Sequence, residues 1–125
     1  MPQYSFEKLR VWQKSREFVK RIYLLTGNSP KNEKFGIVSQ LQRAAVSISS
    51  NIAEGSSRTS GKDQGYFLQV AYSSLMESLS QLILAYDLSF INESELNEAR
   101  EKIEEISNLL NAYRKAILKS NGSTE

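Results

Sequence analysis

Apolar residues recur along this 125-residue chain at helical spacing, in four blocks separated by polar breaks. In the first block, steps of 100° per residue gather Val11, Trp12, Phe18, Val19, Ile22, Tyr23 and Leu25 on one broad arc. That arc predicts a helix over about 6–26, after a short extended lead-in. Gly27-Asn28-Ser29-Pro30 breaks it. A second helix is expected over 32–54. Ser29 or Asn32 is its candidate cap, Glu33 suits its first turn, and Gly55 is its candidate stop. Val38, Leu41, Ala45, Ile48 and Ile52 step by three and four, the seam of a packed helix. A third helix fits 61–89, opened by Ser60 with Asp63 three residues on. A fourth fits 92–119, opened by Asn92 with Glu95 at the capping-box position. Its seam is Leu96, Ala99, Ile103, Ile106, Leu110, Tyr113 and Ile117. Acids crowd its start and Lys119 lies near its end, an order that complements the helix dipole.

No strand-like alternation competes with these blocks, and the connections are short. The expected architecture is all-α: one domain over 1–125, an antiparallel up-down-up-down four-helix bundle. The middle helices differ from the outer two. From Phe35 to Ala53 the only charge is Arg43, and between Gln64 and Tyr86 the only charge is Glu77. A helix with so little charge is usually covered on more than one side. The middle pair should therefore lie innermost or meet another subunit.

Charge adds an asymmetry. Residues 1–58 hold ten Lys/Arg against four Asp/Glu, and residues 59–125 hold six against ten. On the first helix Arg10, Lys14, Arg16, Lys20 and Arg21 fall opposite the apolar arc, with Glu17 among them. Such a face can contact phosphates or simply stay solvated.

Composition removes several chemistries. With no cysteine there is no disulfide, thiolate zinc site or thiol nucleophile. With no histidine the commonest general base and metal ligand are gone. Ser47, Ser49 and Ser50 have no recognised nucleophile motif around them. A non-enzymatic protein without cofactor or metal is expected. No apolar run is long enough to span a membrane, and the first residues have no apolar core of signal-peptide type. A cytoplasmic location is the expectation.

Three stretches carry a family resemblance: FEKLRVWQKS near the start, QLQRAAVSISSNIAEGSSR in the second block and GYFLQVAYSSLMES in the third. They resemble the four-helix bundle proteins also known as the 23S rRNA intervening-sequence protein family, over about residues 6–118. The block SISSNIAEG is the most specific part. The family commonly has Pro where this chain has Ser49 and Gly where it has Ser73. The resemblance implies a bacterial source and a four-helix bundle. Members, and the distantly similar accessory proteins of diversity-generating retroelements, assemble as pentameric rings or barrels. Nucleic-acid association is known for the retroelement relatives, and no settled catalytic activity comes with the family.

Two groups of site residues follow. Arg10, Lys14, Arg16, Lys20, Arg21 and Arg58 are the candidate nucleic-acid contacts, with RNA favoured over DNA. Repetition around a homopentamer would make weak contacts multivalent. Charge reversal at Lys14 and Arg21 is expected to weaken binding. The second group is a structural polar network of Arg43, Asn51, Glu54, Ser74 and Glu77 between helices two and three. In it Arg43 would be an internal counter-ion. The rival reading of Glu54 and Glu77 as a divalent-cation site lacks the Asp-rich loop or histidines that would specify a metal. Trp12, Tyr23, Phe67 and Tyr72 are expected in core or interface packing, and Tyr4 and Tyr66 are the aromatics to test for exposure. The alternative function is a structural scaffold that binds a protein partner and no nucleic acid.

Overall fold

The computed structural model describes residues 2–27 and 36–122. A single 3-10 turn, Ser5–Lys8, leads into α1 (Arg10–Thr26), followed by α2 (Ile37–Ser57), α3 (Gly61–Asp87) and α4 (Glu93–Gly122). The protein is all-α with four helices, and no strand occurs among the described residues. Each helix packs on the next, and α1 closes the ring against α4. The α2–α3 contact is the most extensive.

The core follows the apolar seams. Phe18 and Ile22 from α1, Leu41, Ile48 and Ile52 from α2, Leu68, Leu75 and Leu82 from α3, and Ile106 and Leu110 from α4 are fully buried. Each such side chain stabilises the fold by about 1.5–3 kcal/mol relative to exposure. Two pairs of cross-helix links fix direction. Ser47 faces Ser74 and Gln40 faces Gln81, so α2 and α3 run antiparallel. Lys14 reaches Glu105 and Arg21 reaches Glu98, so α1 and α4 do too.

The helix ends differ from the sequence expectation for local reasons. The first helix does not begin at Phe6, because Leu9 is extended (φ −73°, ψ 124°). The turn before it is held by its own contacts. Glu7 accepts from the Tyr4 backbone N–H at 2.7 Å, and the Gln13 side chain donates to the Glu7 carbonyl at 2.9 Å. Phe6 packs edge-on against Trp12, with centroids 4.9 Å apart. The expected start of helix two at 32, with caps at Ser29 or Asn32, lies outside the described residues.

Gly55 does not stop helix two. It is buried inside α2, which runs on to Ser57. A Cβ at Gly55 would sit 3.3 Å from the Gln64 carbonyl oxygen, the Leu68 Cδ2 and the Phe67 Cβ. The glycine serves close approach to α3, a role that sequence alone does not separate from a C-terminal cap. Ser49 and Ser73 donate to the carbonyls of Val46 and Gln69, one turn back. Ser73 is exposed, so its side chain is not wedged between helices of the bundle.

Between α3 and α4 the chain reverses over five residues. The Phe90 N–H donates to the Ala85 carbonyl (2.8 Å), and the Ser89 N–H to the Tyr86 carbonyl (3.0 Å). Those two bonds are the Schellman pattern, and they place Ser89 at φ 64°. α3 thus ends at Asp87, two residues before the expected Ser89. Directly after the turn, the Glu95 N–H donates to the Asn92 side chain (2.8 Å) while the Asn92 N–H donates to the Glu95 carboxylate (2.9 Å). This reciprocal capping box opens α4 as the sequence suggested. At the α3 start, the Asp63 N–H donates to the Ser60 hydroxyl at 3.1 Å.

Candidate nucleic-acid interface

The buried side of α1 is set by Val11, Ser15, Phe18, Ile22 and Thr26, spaced by three and four. With that side turned inward, the five cations of α1 divide into two groups. Helical geometry places Arg10, Lys14 and Arg21 on the flank next to α4, and Arg16 and Lys20 on the outward side.

On the α4 flank the cations meet carboxylates. The Arg21 guanidinium lies 2.6 Å from Glu98, and Lys14 Nζ lies 3.5 Å from Glu105 and 3.4 Å from Glu17. Arg10 shares a shallow depression with Glu101, Glu104 and Glu105. Glu98 and Glu105 are one helical heptad apart, so α4 offers a matching row. A phosphate approaching Lys14 or Arg21 would have to displace a carboxylate already in place.

On the outward side the arrangement is open. Arg16 and Lys20 are not fully buried, and neither has an ion pair with a described residue. The Arg16 guanidinium rests 5.5 Å from the Trp12 ring centroid, a cation–π contact that orients it without neutralising it. Tyr23 belongs to the same side and is 48% exposed. The sequence placed Tyr23 in core or interface packing. The structure leaves it out of this chain's core, at the edge of the α1 apolar arc. Tyr4 and Tyr66 are exposed at 74% and 63%. Trp12, Phe67 and Tyr72 are half-buried.

Arg58, after the end of α2, stacks over Phe67 at 4.7 Å and lies 3.5 Å from Glu54. It is exposed, but it is committed to this chain on both sides.

The polar residues between α2 and α3 come together only in part. The Ser47 and Ser74 hydroxyls are 2.8 Å apart, and the Asn51 amide donates to the Ser47 carbonyl (2.8 Å) and hydroxyl (3.0 Å). Asn51 and Ser74 are thus joined through Ser47, a residue that the sequence brings up only as a nucleophile. Glu54 is outside this chain of bonds: it is exposed and faces Arg58 and Ser57. Glu77 is exposed and accepts from the Gln81 amide at 3.2 Å. Arg43 is not an internal counter-ion. It is exposed and has no ion pair with a described residue. The outward register of position 43, one turn from Gln40 and opposite the α2 seam, is the physical reason. Gln40 and Gln81 were missed, although uncharged polar residues on so charge-poor a pair were the available signal.

No group of three or more metal-ligating side chains occurs among the described residues. Glu54 and Glu77 belong to separate clusters. Burial pushes the Tyr113 phenol, on α4, above its ordinary value of 10.0. Its contribution to stability is therefore complete below pH 10 and fades as the pH rises further. No helix among the described residues is long and apolar enough to cross a membrane.

Comparison with known proteins agrees with the bundle. Curated protein sequences give no match. A solved structure from Bacteroides thetaiotaomicron, described as a protein of unknown function from the S23 ribosomal protein family, is similar at 28% identity and a TM-score of 0.75. The match covers 84% of this chain and 98% of that one. The family model described as 23S rRNA-intervening sequence protein matches residues 7–112, and the chain belongs to that family.

Proposed function

We propose that this 23S rRNA-intervening sequence protein is a non-enzymatic, up-down-up-down bundle that assembles with copies of itself and binds nucleic acid, RNA in preference to DNA. A five-membered ring is the form that the family resemblance favours. One observation carries the binding reading: among the described residues, Arg16 and Lys20 have no carboxylate partner, and they stand on the outer side of α1 beside an exposed Tyr23. Cations that track a backbone, next to an aromatic face on which a base can stack, are the two elements of single-strand recognition. Lys14, Arg21 and Arg58 are demoted to structural pairs, and Arg10 contributes at the edge.

Two or three phosphate contacts per protomer give only weak binding, and repetition around an oligomer makes it multivalent. Fluorescence anisotropy with a labelled single-stranded RNA, titrated with salt, tests the reading. Affinity should fall steeply as salt rises. Reversing Arg16 and Lys20 together to Glu should abolish binding, while reversing Lys14 and Arg21 should cost less. Undetectable binding at low salt, or binding indifferent to the Arg16/Lys20 reversal, would sink it.

A second reading, an interaction module without nucleic-acid binding, is favoured by the other half of the same cations. Of the six candidates, Lys14, Arg21 and Arg58 are each within ion-pair distance of a carboxylate.

A further inference from the structure

A cleft of about 380 Å³ lies between the 3-10 turn and the second half of α2. That volume is within the range of small-ligand clefts, about 300–1,000 Å³. Ser50, Ala53 and Ser57 step by three and four along α2, so they share one side of it and give the cleft a floor of small side chains. Tyr4 and Phe6 line it from the turn, and the Tyr4 ring is 74% exposed. The wall is set before any ligand arrives, because the Tyr4 N–H is held by the Glu7 carboxylate and the Glu7 carbonyl by Gln13. Glu54 brings the one charge that lines the cleft. Both of its carboxylate oxygens have only long contacts: Arg58 at 3.5 Å from Oε1 and the Ser57 hydroxyl at 3.5 Å from Oε2. The shorter bond of that hydroxyl, 2.8 Å, goes to the Glu54 carbonyl. The cleft is also continuous with the cations of α1. Phe6 meets the Trp12 ring edge-on, and Trp12 carries the Arg16 guanidinium.

We propose that this cleft takes a guanine base of the single strand held by Arg16 and Lys20, with the Glu54 carboxylate accepting from the base N1–H and from its N2 amino group. The inference rests on the nucleic-acid reading above and adds a base preference to it. Unstacked bases are read by aromatic stacking together with hydrogen bonds to the Watson–Crick edge, and the cleft has a part for each. A planar base lies on the floor of small side chains while Tyr4 stacks on its open face. The identity of the base follows from the carboxylate. An ionised carboxylate only accepts, through two oxygens side by side. Guanine presents two adjacent donors on its Watson–Crick edge. Adenine and cytosine each present a donor beside an acceptor, and uracil a lone donor between two acceptors, so each meets the carboxylate with at most one bond. Arg58 beside Glu54 offsets the negative charge that the lip would otherwise turn toward a phosphate chain.

Fluorescence anisotropy with labelled uridine oligomers that carry one central guanosine, inosine or adenosine tests it. Wild-type protein should bind the guanosine oligomer about tenfold more tightly than the adenosine one. Inosine keeps N1–H but lacks the N2 amino group, so its oligomer should fall between. Glu54→Gln should erase the preference and weaken the guanosine oligomer, although it removes a negative charge from a surface that binds a polyanion. A carboxylate acting only through its charge gives the opposite sign, with all three oligomers bound more tightly by Glu54→Gln, and that result overturns the inference. Tyr4→Ala should weaken all three about tenfold through loss of stacking, and Tyr4→Phe should restore them. Both positions are exposed, and circular dichroism confirms that the helices persist in each variant. Binding that needs Arg16 and Lys20 but ignores the base overturns the inference and leaves the nucleic-acid reading standing. Undetectable binding of all three oligomers at low salt overturns both.

Discussion

Where α2 meets α3, Gly55 brings the helices close and Ser47 and Ser74 share a hydrogen bond. Where α1 meets α4, Lys14 and Arg21 reach out to Glu105 and Glu98 over partly exposed side chains. The first contact depends on volume and on satisfying buried hydroxyls. The second depends on charges that water and salt can replace. Close packing is intolerant of added atoms, whereas a solvated ion pair tolerates loss, since exposed pairs are typically worth about 0–1 kcal/mol. The bundle thus has one seam that specifies register and another that is electrostatically matched but weakly coupled to stability.

Substitutions should separate the two seams, beginning with the largest effect. Gly55→Val should destabilise by about 2–3 kcal/mol, because even one Cβ is already tight against a backbone oxygen. A urea midpoint close to the wild type would show that α2 and α3 can part at no cost. Ser47→Ala leaves the nearly buried Ser74 without its partner across the seam and should cost about 1–2 kcal/mol. Adding Ser74→Ala should recover part of that loss, and strictly additive effects in the cycle would remove the hydroxyl pair from the account. At the corner joining α3 to α4, Ser89→Gly should stabilise by about 1 kcal/mol, since glycine has no Cβ to oppose a positive φ. Thermal melts at matched concentration read the sign. Smallest of all, Lys14→Met with Arg21→Met should change stability by less than about 1 kcal/mol, with the difference shrinking in roughly 1 M salt. A larger, salt-insensitive loss would make the outer seam equal to the inner one.

Much of the fold was legible because apolar spacing reports which side of a helix is inward. Ile48, Ile52 and Ile106 could be placed from their seams alone. Asn92 and Glu95 marked their helix start because a capping box is local chemistry. Gly55 was misread because a glycine near a helix end suits a stop or a close crossing equally well, and only the neighbouring helix decides. The site was less legible for the same reason. Arg10, Lys14, Arg16, Lys20 and Arg21 form one cationic face on an isolated helix. It takes the acids of α4, from the far end of the chain, to divide that face into cations that are ion-paired and cations that have no ion pair with a described residue. Arg43 was misplaced by an argument from charge poverty: a lone charge on such a helix need not be internal.

The five-residue corner after α3 has a consequence in time. Its Schellman bonds and the capping box that follows join residues close together in sequence. Closing it costs little chain entropy, unlike the α1–α4 contact, which must bring the two ends of the chain together. The α3–α4 hairpin is therefore the expected early structure, with α1 docking last. On that expectation Ser89→Gly accelerates folding and leaves unfolding almost unchanged, whereas loss of the Arg21–Glu98 pair accelerates unfolding alone. Stopped-flow chevrons for the two variants distinguish the order, and an unaltered refolding rate in Ser89→Gly would reverse it.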